Sequence, residues 1–294
     1  MKKMNETFLV TGATGFLGSH LTHELINRGY NVIALKRCTS NLWRLEDISK
    51  NNKLKIIDVD NLEDIFANNS IDCIIHTVCS YGRNNETLAD IVQTNIVFGL
   101  KLLDLAKKNK VKCFFNTDTL LQRDLNNYSL SKKQFVEWLK KNHGEIQVFN
   151  MKVEHMYGIK DDSTKFVNWL IEQLNNNVRE IELTSGIQKR DFIYVLDVVN
   201  AYLTVYEHRL GFDKFSEFDV GTGVQLTVKE FVKEIFTAVK EYKPELSTFL
   251  NFGARKYRPG ECMEVVENVE PLKSLGWKPK NDYKYNIRLL LEDI

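Results

Sequence analysis

The sequence has no surplus of either charge sign. Lys and Arg number 40 against 39 Asp and Glu, so nucleic acid and anionic membrane surfaces lack an electrostatic case as partners. Any anionic substrate has to be held by local groups. Cysteine is sparse: Cys38, Cys73, Cys79, Cys113 and Cys262 form no Cys-x-x-Cys pair. Their odd number argues against a disulfide framework and for buried, reduced thiols in a cytosolic protein. No apolar stretch approaches the roughly 20 residues of a membrane helix. The apolar run after the basic start "MKKMNETFLVTG" is too short for a signal peptide. The expected location is cytoplasmic. Repeats and low-complexity segments are missing, and no His/Cys/Asp/Glu cluster has metal-ligand spacing.

What is present is a chain of 294 residues, 43% hydrophobic, long enough for a large α/β domain and a smaller one. "TFLVTG", "YNVIALKR", "KLKIIDV", "IDCIIHTV", "VKCFFNT" and "IQVFNMKV" read as buried strands. The stretches "GSHLTHELINRG", "NLEDIFANN", "ADIVQTNIVFGLKLLDLAKKNK" and "YSLSKKQFVEWLKKNH" between them have helical spacing. Strands alternating with helices imply right-handed βαβ units and a doubly wound parallel sheet. After about residue 155 the alternation weakens. "DFIYVLDVVNAYLTVYEH" still reads as strand then helix, whereas "DSTKFVNWLIEQLNNN" and "TVKEFVKEIFTAVKEY" read as helices outside the main sheet. The expected division is 1–155 with 191–220 as a dinucleotide-binding domain, and 156–190 with 221–294 as a smaller, interleaved substrate domain.

"LVTGATGFLGSH" places Gly12, Gly15 and Gly18 between the first strand and the first helix. A dinucleotide pyrophosphate needs such a loop: a tight turn, close backbone approach, and a helix N-terminus supplying N–H donors and a positive dipole end. The spacing Gly-x-x-Gly-x-x-Gly differs from the commoner Gly-x-Gly-x-x-Gly, but its strand–helix context supports the reading. The second strand ends "ALKRCTS". Lys36 and Arg37 stand where an NAD-preferring fold usually offers an acid for the ribose hydroxyls, which points to NADP(H).

With these segments in place, the chain resembles the extended short-chain dehydrogenase/reductases, the nucleotide-sugar epimerases, dehydratases and reductases, over nearly its whole length. "TGATGFLGSH" resembles their cofactor loop, which implies that Gly12, Thr14, Gly15, Phe16, Leu17 and Gly18 line the cofactor. "IIDVDNLEDI" resembles the segment that meets the adenine, here Asp58 and Val59. "IIHTVCSYG" is similar to their fourth strand, and "TNIVFGLKLL" to the helix whose Asn, here Asn95, lies near the cofactor. "FFNTDT" resembles the strand with the catalytic hydroxyl, here Thr117, and "YSLSK" matches Tyr-x-x-x-Lys, here Tyr128 and Lys132. "KVEHMYG" resembles Arg-x-x-Asn-Val-Tyr-Gly, with Lys152 and His155 departing from it. His155 and Tyr157 then fall near the nicotinamide, or serve packing. "KRDFIYVLDVVNA" and "YRPGE" match segments whose arginines, Arg190 and Arg258, hold the nucleotide diphosphate, and "LGWKP" matches the C-terminal signature. Asp118 resembles the dehydratase acid. Elimination needs a Glu after it, and Thr119 stands there. Asp118, Thr119 and Tyr81, in the loop after the fourth strand, are taken as facing the substrate. Within this group the chain is most similar to the CDP-abequose and CDP-paratose synthases, NADPH-dependent 4-reductases of a CDP-4-keto-6-deoxyhexose made for surface polysaccharide.

The resemblance implies a cycle in which Tyr128 protonates the alkoxide formed at the sugar C4. Thr117 donates a hydrogen bond to the same oxygen. Lys132 binds the nicotinamide ribose, and its ammonium, with an oxidised nicotinamide, lowers the tyrosine's ordinary pKa of ~10. His76 is read as a core histidine. The resemblance also implies a homodimer through a four-helix bundle built by the helix over 88–109 and the Tyr128 helix, with Leu100, Leu103, Phe135 and Trp138 at the contact or in the monomer core. Two other functions stay open: a 4-epimerase that retains NAD, disfavoured by Lys36 and Arg37, and a non-catalytic dinucleotide sensor, disfavoured by Thr117, Tyr128 and Lys132.

Overall fold

The computed structural model describes residues 6–83, 85–258, 260–280 and 282–293, so the start of the basic N-terminal stretch lies outside the described residues. In chain order, β1 (Thr7–Thr11), α1 (Phe16–Asn27), β2 (Asn31–Lys36), a 3-10 helix (Trp43–Ile48), β3 (Leu54–Asp58), α2 (Leu62–Asn68) and β4 (Cys73–His76) come first. Then α3 (Leu88–Val92), a π-helical turn (Gln93–Val97), α4 (Phe98–Lys108), β5 (Cys113–Thr119), α5 (Asn127–Asn142) and β6 (Gln147–Val153) complete the expected alternation. They are followed by β7 (His155–Tyr157), α6 (Phe166–Asn175), β8 (Glu180–Leu183), β9 (Lys189–Arg190), β10 (Phe192–Tyr194), α7 (Val195–Glu207) and β11 (Phe215–Val220). The last elements are β12 (Leu226–Thr227), α8 (Val228–Tyr242), β13 (Phe249–Phe252), α9 (Glu270–Lys273) and α10 (Tyr283–Asp293).

Seven strands form one sheet in the order β11-β6-β5-β4-β1-β2-β3, and β3, β2, β1, β4 and β5 pair in parallel. The strand pleat explains the doubly wound arrangement. On one face Leu9, Ile33, Ile74 and Phe114 join Phe66 of α2, Leu102 of α4 and Phe135 of α5 in one buried cluster. Their sequence neighbours point the other way. The Phe8 ring lies 4.9 Å from Tyr30 and 4.7 Å from Tyr206, and Phe115 lies 5.8 Å from Tyr202. Both faces are covered, which is why the strands read as continuous apolar runs. Each fully buried side chain of this size contributes roughly 1.5–3 kcal/mol, against roughly 0–1 kcal/mol for an exposed ion pair, so packing holds the sheet. The strand order reverses between β1 and β4, and the crevice outside the carboxyl ends there is where open α/β sheets bind ligands.

One open choice is decided and one expectation is corrected. Leu103 and Phe135, offered either for a dimer contact or for the monomer core, are 1% and 0% exposed and belong to the core. Leu100 packs against that core, and of the four only Trp138 is open. Of the five cysteines only Cys73 and Cys113 are buried.

The chain divides into two compact units, 1–152 with 202–218 and 153–201 with 219–294. The second unit takes 153–155, 191–201 and 219–220, which the alternation had placed in the first. The reason is pairing: β7 pairs in parallel with β10, His155 opposite Phe192, outside the main sheet. Its core gathers Tyr157, Leu170, Phe231 and Ile287, with the Phe192 and Phe231 rings stacked at 3.6 Å. Among the described residues no helix is long and apolar enough to cross a membrane.

Candidate active site

In the first unit, β1 ends at Thr11 and α1 begins after Gly15, an N-cap with no side-chain hydrogen bond. Gly12 adopts φ +67°, and a Cβ on it would stand 2.7 Å from Thr77 Oγ1. A Cβ on Gly18 would stand 2.1 Å from the Gly12 carbonyl oxygen. The Gly15 N–H closes the turn onto that oxygen at 2.9 Å. Thr77 ties β4 to the loop: its hydroxyl donates to the Thr11 carbonyl at 2.7 Å, and Thr11 Oγ1 lies 2.8 Å from His76 Nδ1. Leu17 is buried and Thr14 and Phe16 are half-buried. The uncapped first turn of α1 leaves its N–H groups and dipole end for an anion. The loop therefore fits a dinucleotide pyrophosphate.

At the end of β2 the sequence offers no acid, but the register supplies one. Lys36 lies opposite Asp58 of β3, and the two form an ion pair. The Val59 N–H donates to the Lys36 carbonyl at 2.8 Å. Arg37 is exposed, its N–H donating to Ser40 Oγ at 3.1 Å.

On α5, Asn126 and Ser129 form a reciprocal cap that starts the helix so that Tyr128 lies in the first turn and Lys132 one turn on. Tyr81 packs on Tyr128 with ring centroids 4.8 Å apart, and the Arg83 guanidinium lies 5.5 Å over Tyr81. Burial pushes the Tyr128 phenol well above its usual pKa. Cys79, Tyr81 and Asp118 add to this, and Arg83 opposes it. The chain's own groups thus act against the lowering expected of Lys132 and an oxidised nicotinamide and favour the protonated phenol. Lys132 is 1% exposed and its pKa is lowered, mainly by burial. Its charge acts instead on His76, which burial first and then Lys132 push down to about 3. His76 stays neutral, as its placement among Phe98, Phe114 and Phe135 requires.

Thr117 Oγ1 lies 2.8 Å from the Tyr202 hydroxyl. Burial raises the Tyr202 pKa, so it remains a phenol; either hydroxyl can be the donor, and with Tyr202 donating the Thr117 proton is left for another acceptor. Nothing in the local sequence marks Tyr202, which lies inside an apolar helix. Tyr202→Phe is expected to lower turnover by roughly three- to tenfold, as for a neutral hydrogen bond of ~1 kcal/mol, with dinucleotide affinity unchanged. Titration of the dinucleotide beside steady-state kinetics checks this, and a loss in affinity alone would remove Tyr202 from the site.

Three residues expected near the site have partners within the chain. Asp118, 2% exposed, receives Lys133 at 2.9 Å and Asn150 Nδ2 at 3.1 Å. Thr119 Oγ1 accepts the Leu121 N–H at 3.2 Å. Asn95, wholly buried in the π-helical turn, donates to the Ser80 carbonyl and Ser131 Oγ, each at 2.8 Å, and accepts the Ser80 N–H at 2.6 Å. It clamps the loop after β4 to α5. π-turns recur at functional sites.

The second unit carries the other predicted residues. His155 Nδ1 lies 2.9 Å from Glu154 Oε2. Tyr157 is a core residue, its hydroxyl 3.3 Å from Asn286 Nδ2. Arg190 is 6% exposed and donates to Glu261 Oε1 at 2.6 Å. Arg258 is exposed, and its carbonyl accepts the Glu261 N–H at 3.1 Å. Glu261 thus brings the two arginines to one turn.

The doubly wound sheet, the glycine loop and the Tyr128–Lys132 helix define a short-chain dehydrogenase/reductase. Residues 8–221 match the model of the NAD dependent epimerase/dehydratase family, and the chain belongs to that family. It is 37% identical to a CDP-abequose synthase of Salmonella typhimurium, covering 99% of both chains, and 32% identical to the CDP-abequose synthase of Salmonella muenchen over the same shares. Among solved structures it is similar to the UDP-glucuronic acid 4-epimerase of Bacillus cereus in complex with UDP-glucuronic acid and NAD. The TM-score is 0.82 at 20% identity, over 98% of each chain.

Proposed function

We propose that the protein is an NADPH-dependent reductase of the C4 ketone of a nucleotide-activated 4-keto-6-deoxy sugar, with a CDP-hexose as substrate. The observation that carries this reading is the 37% identity to a CDP-abequose synthase over 99% of both chains. The retained Thr117, Tyr128 and Lys132 agree with it. When bound, the dinucleotide supplies the hydride. Gly12, Gly15, Gly18 and the N–H groups of α1 hold its pyrophosphate, and Lys132 binds its nicotinamide ribose. Tyr128, kept protonated by burial, gives its proton to the oxygen at C4 as charge develops there. Thr117, supplied with a hydrogen bond by Tyr202, donates to the same oxygen. Arg190 and Arg258 grip the diphosphate, for which a guanidinium has matching geometry. His155 serves the nicotinamide side. The assembly is a homodimer through α3–α4 and α5, where Leu88, Val92 and Trp138 are exposed.

The test is incubation of the purified protein with CDP-, dTDP- and GDP-4-keto-6-deoxy sugars and NADPH, following loss of reduced cofactor. Consumption with the CDP sugar is expected, and none with any ketosugar would sink the reading. One observation favours a second reading, an NAD-retaining 4-epimerase: the Asp58 carboxylate lies at the β2 end after all. NAD carried tightly through purification, with no need of added reductant, would select it.

Arg37 separates the two. Its guanidinium, set beside the adenosine end of the loop, meets the 2′-phosphate of NADPH and nothing on NADH. Arg37→Ala is expected to raise KM for NADPH about tenfold, from ~1.5–3 kcal/mol for a charge-assisted bond, and to leave that for NADH nearly unchanged. Equal losses with both donors would assign Arg37 to loop packing.

A further inference from the structure

Beyond Arg37, a second arginine reaches the cofactor loop. Arg44 lies in the 3-10 helix Trp43–Ile48 that follows β2. Its Nη1 donates to the carbonyl of Thr14, inside the glycine loop, at 3.3 Å. Its guanidinium lies 4.4 Å over the Trp43 ring, which holds the plane of the fork. The backbone beneath is fixed on both sides. Leu45 is wholly buried, and His23 of α1 lies 2.9 Å from the Arg44 carbonyl and 3.4 Å from Asp47. The guanidinium is therefore presented to the loop from a rigid, half-buried base, whereas Arg37 stands exposed in a turn.

The charges at this edge sort themselves. Lys36 is paired with the Asp58 carboxylate, which offsets its charge. Arg37 follows the last residue of β2, and Thr11 at the end of β1 is in register with Leu35 of β2. Arg37 and the loop that Arg44 holds thus leave adjacent strand ends. We propose that Arg44 is a specificity-determining residue that, with Arg37, grips a phosphate on the adenosine ribose. A guanidinium has five donors in a planar fork, so it can hold the Thr14 carbonyl and an oxyanion together. Lys36 has no part in the recognition. This rests on the NADPH reading above.

Calorimetric titration of the full-length protein with ADP and with 2′,5′-ADP tests it without any turnover. The wild type is expected to bind 2′,5′-ADP the more tightly. Arg44→Gln is expected to weaken 2′,5′-ADP roughly tenfold or more and to change ADP by less than about twofold. Equal weakening of both ligands would make Arg44 a brace of the Thr14 loop, and no weakening would remove it from the site. Either result overturns the proposal. Should Arg44→Gln not fold, Arg44→Lys, which keeps the charge but loses the fork, is expected to lose most of the preference. An unchanged preference in that variant overturns the proposal equally. A wild type with no preference for 2′,5′-ADP would instead sink the NADPH reading itself, whereas a preference that survives in the Arg44 variants sinks the Arg44 assignment alone.

Discussion

Tyr128→Phe is expected to lower turnover in ketone reduction by about 10²-fold or more, with the fold and dinucleotide binding retained. That loss corresponds to ~2.7 kcal/mol of transition-state stabilisation. The phenylalanine ring keeps the packing against Tyr81, at 4.8 Å in the wild type, so only the proton is removed. The same group sets the pH dependence. A general acid has to be protonated, and burial raises Tyr128 above its ordinary value of ~10. The protonated fraction therefore stays near one from neutral pH upward. Activity is lost only as pH rises through the raised pKa. For reduction, kcat/KM, which reports the free enzyme, is expected to be level to at least pH ~9 as far as this group is concerned. Near-normal turnover in the phenylalanine variant would remove Tyr128 from the mechanism. A wild-type alkaline fall beginning near neutrality that persists in Tyr128→Phe would belong to another group.

The elevated pKa is not legible in the sequence, whereas the Tyr128–Lys132 spacing is. One helical turn separates the two residues whatever surrounds them, but the phenol's environment comes from distant segments: Tyr81 and Cys79 after β4, and Asp118 on β5. The contrast recurs through the molecule. Strands β1 to β6 are legible because each is a near-continuous apolar run, as a sheet covered on both faces demands. Strand β11 is not, since only Phe218 and Val220 alternate with period two, Phe215 falls out of phase, and Ser216, Glu217 and Asp219 interrupt the apolar run. Helices α4 and α5 are legible as helices, but an apolar stripe does not say what covers it. Leu103 and Phe135 fit a dimer seam and a monomer core equally well until the sheet's apolar face is placed beneath them.

Site residues divide the same way. The glycines announce themselves by spacing. Tyr202 meets Thr117 across 85 residues, and only the closing of the sheet by α7 brings them together. Asp58 sits in a segment recognisable by itself, but its neutralisation of Lys36 depends on β2–β3 register, which shifts meaning with a one-residue slip. Asp118 and Thr119 follow Thr117, the proposed catalytic hydroxyl, in sequence, and strand alternation and the turn at Leu121 give them partners in Lys133 and their own loop. Proximity in sequence to a reacting group is thus a weak guide at a strand end, where successive side chains leave in opposite directions.

Gly18→Ala tests whether the loop is built for close approach of α1 to β1. The added Cβ would stand 2.1 Å from the Gly12 carbonyl oxygen, 2.7 Å from its carbon and 3.0 Å from Ala13 Cα. All three are backbone atoms of the turn proposed to receive the pyrophosphate, so no flexible side chain can give way. The helix has to lift from the loop. Overpacking of this kind costs roughly 1–3 kcal/mol, which lowers the melting temperature by several degrees in a domain of this size. The lifted helix also takes its first-turn N–H groups and dipole end away from the anion. Dinucleotide affinity is therefore expected to fall by about 10²-fold, more than the change in stability alone implies. Gly211→Ala is the matched control, because a Cβ there meets nothing within 4 Å. Calorimetric titration with the dinucleotide and thermal melts of both variants decide the matter. If Gly18→Ala binds as tightly as Gly211→Ala, the loop is not the pyrophosphate cradle, whatever its spacing.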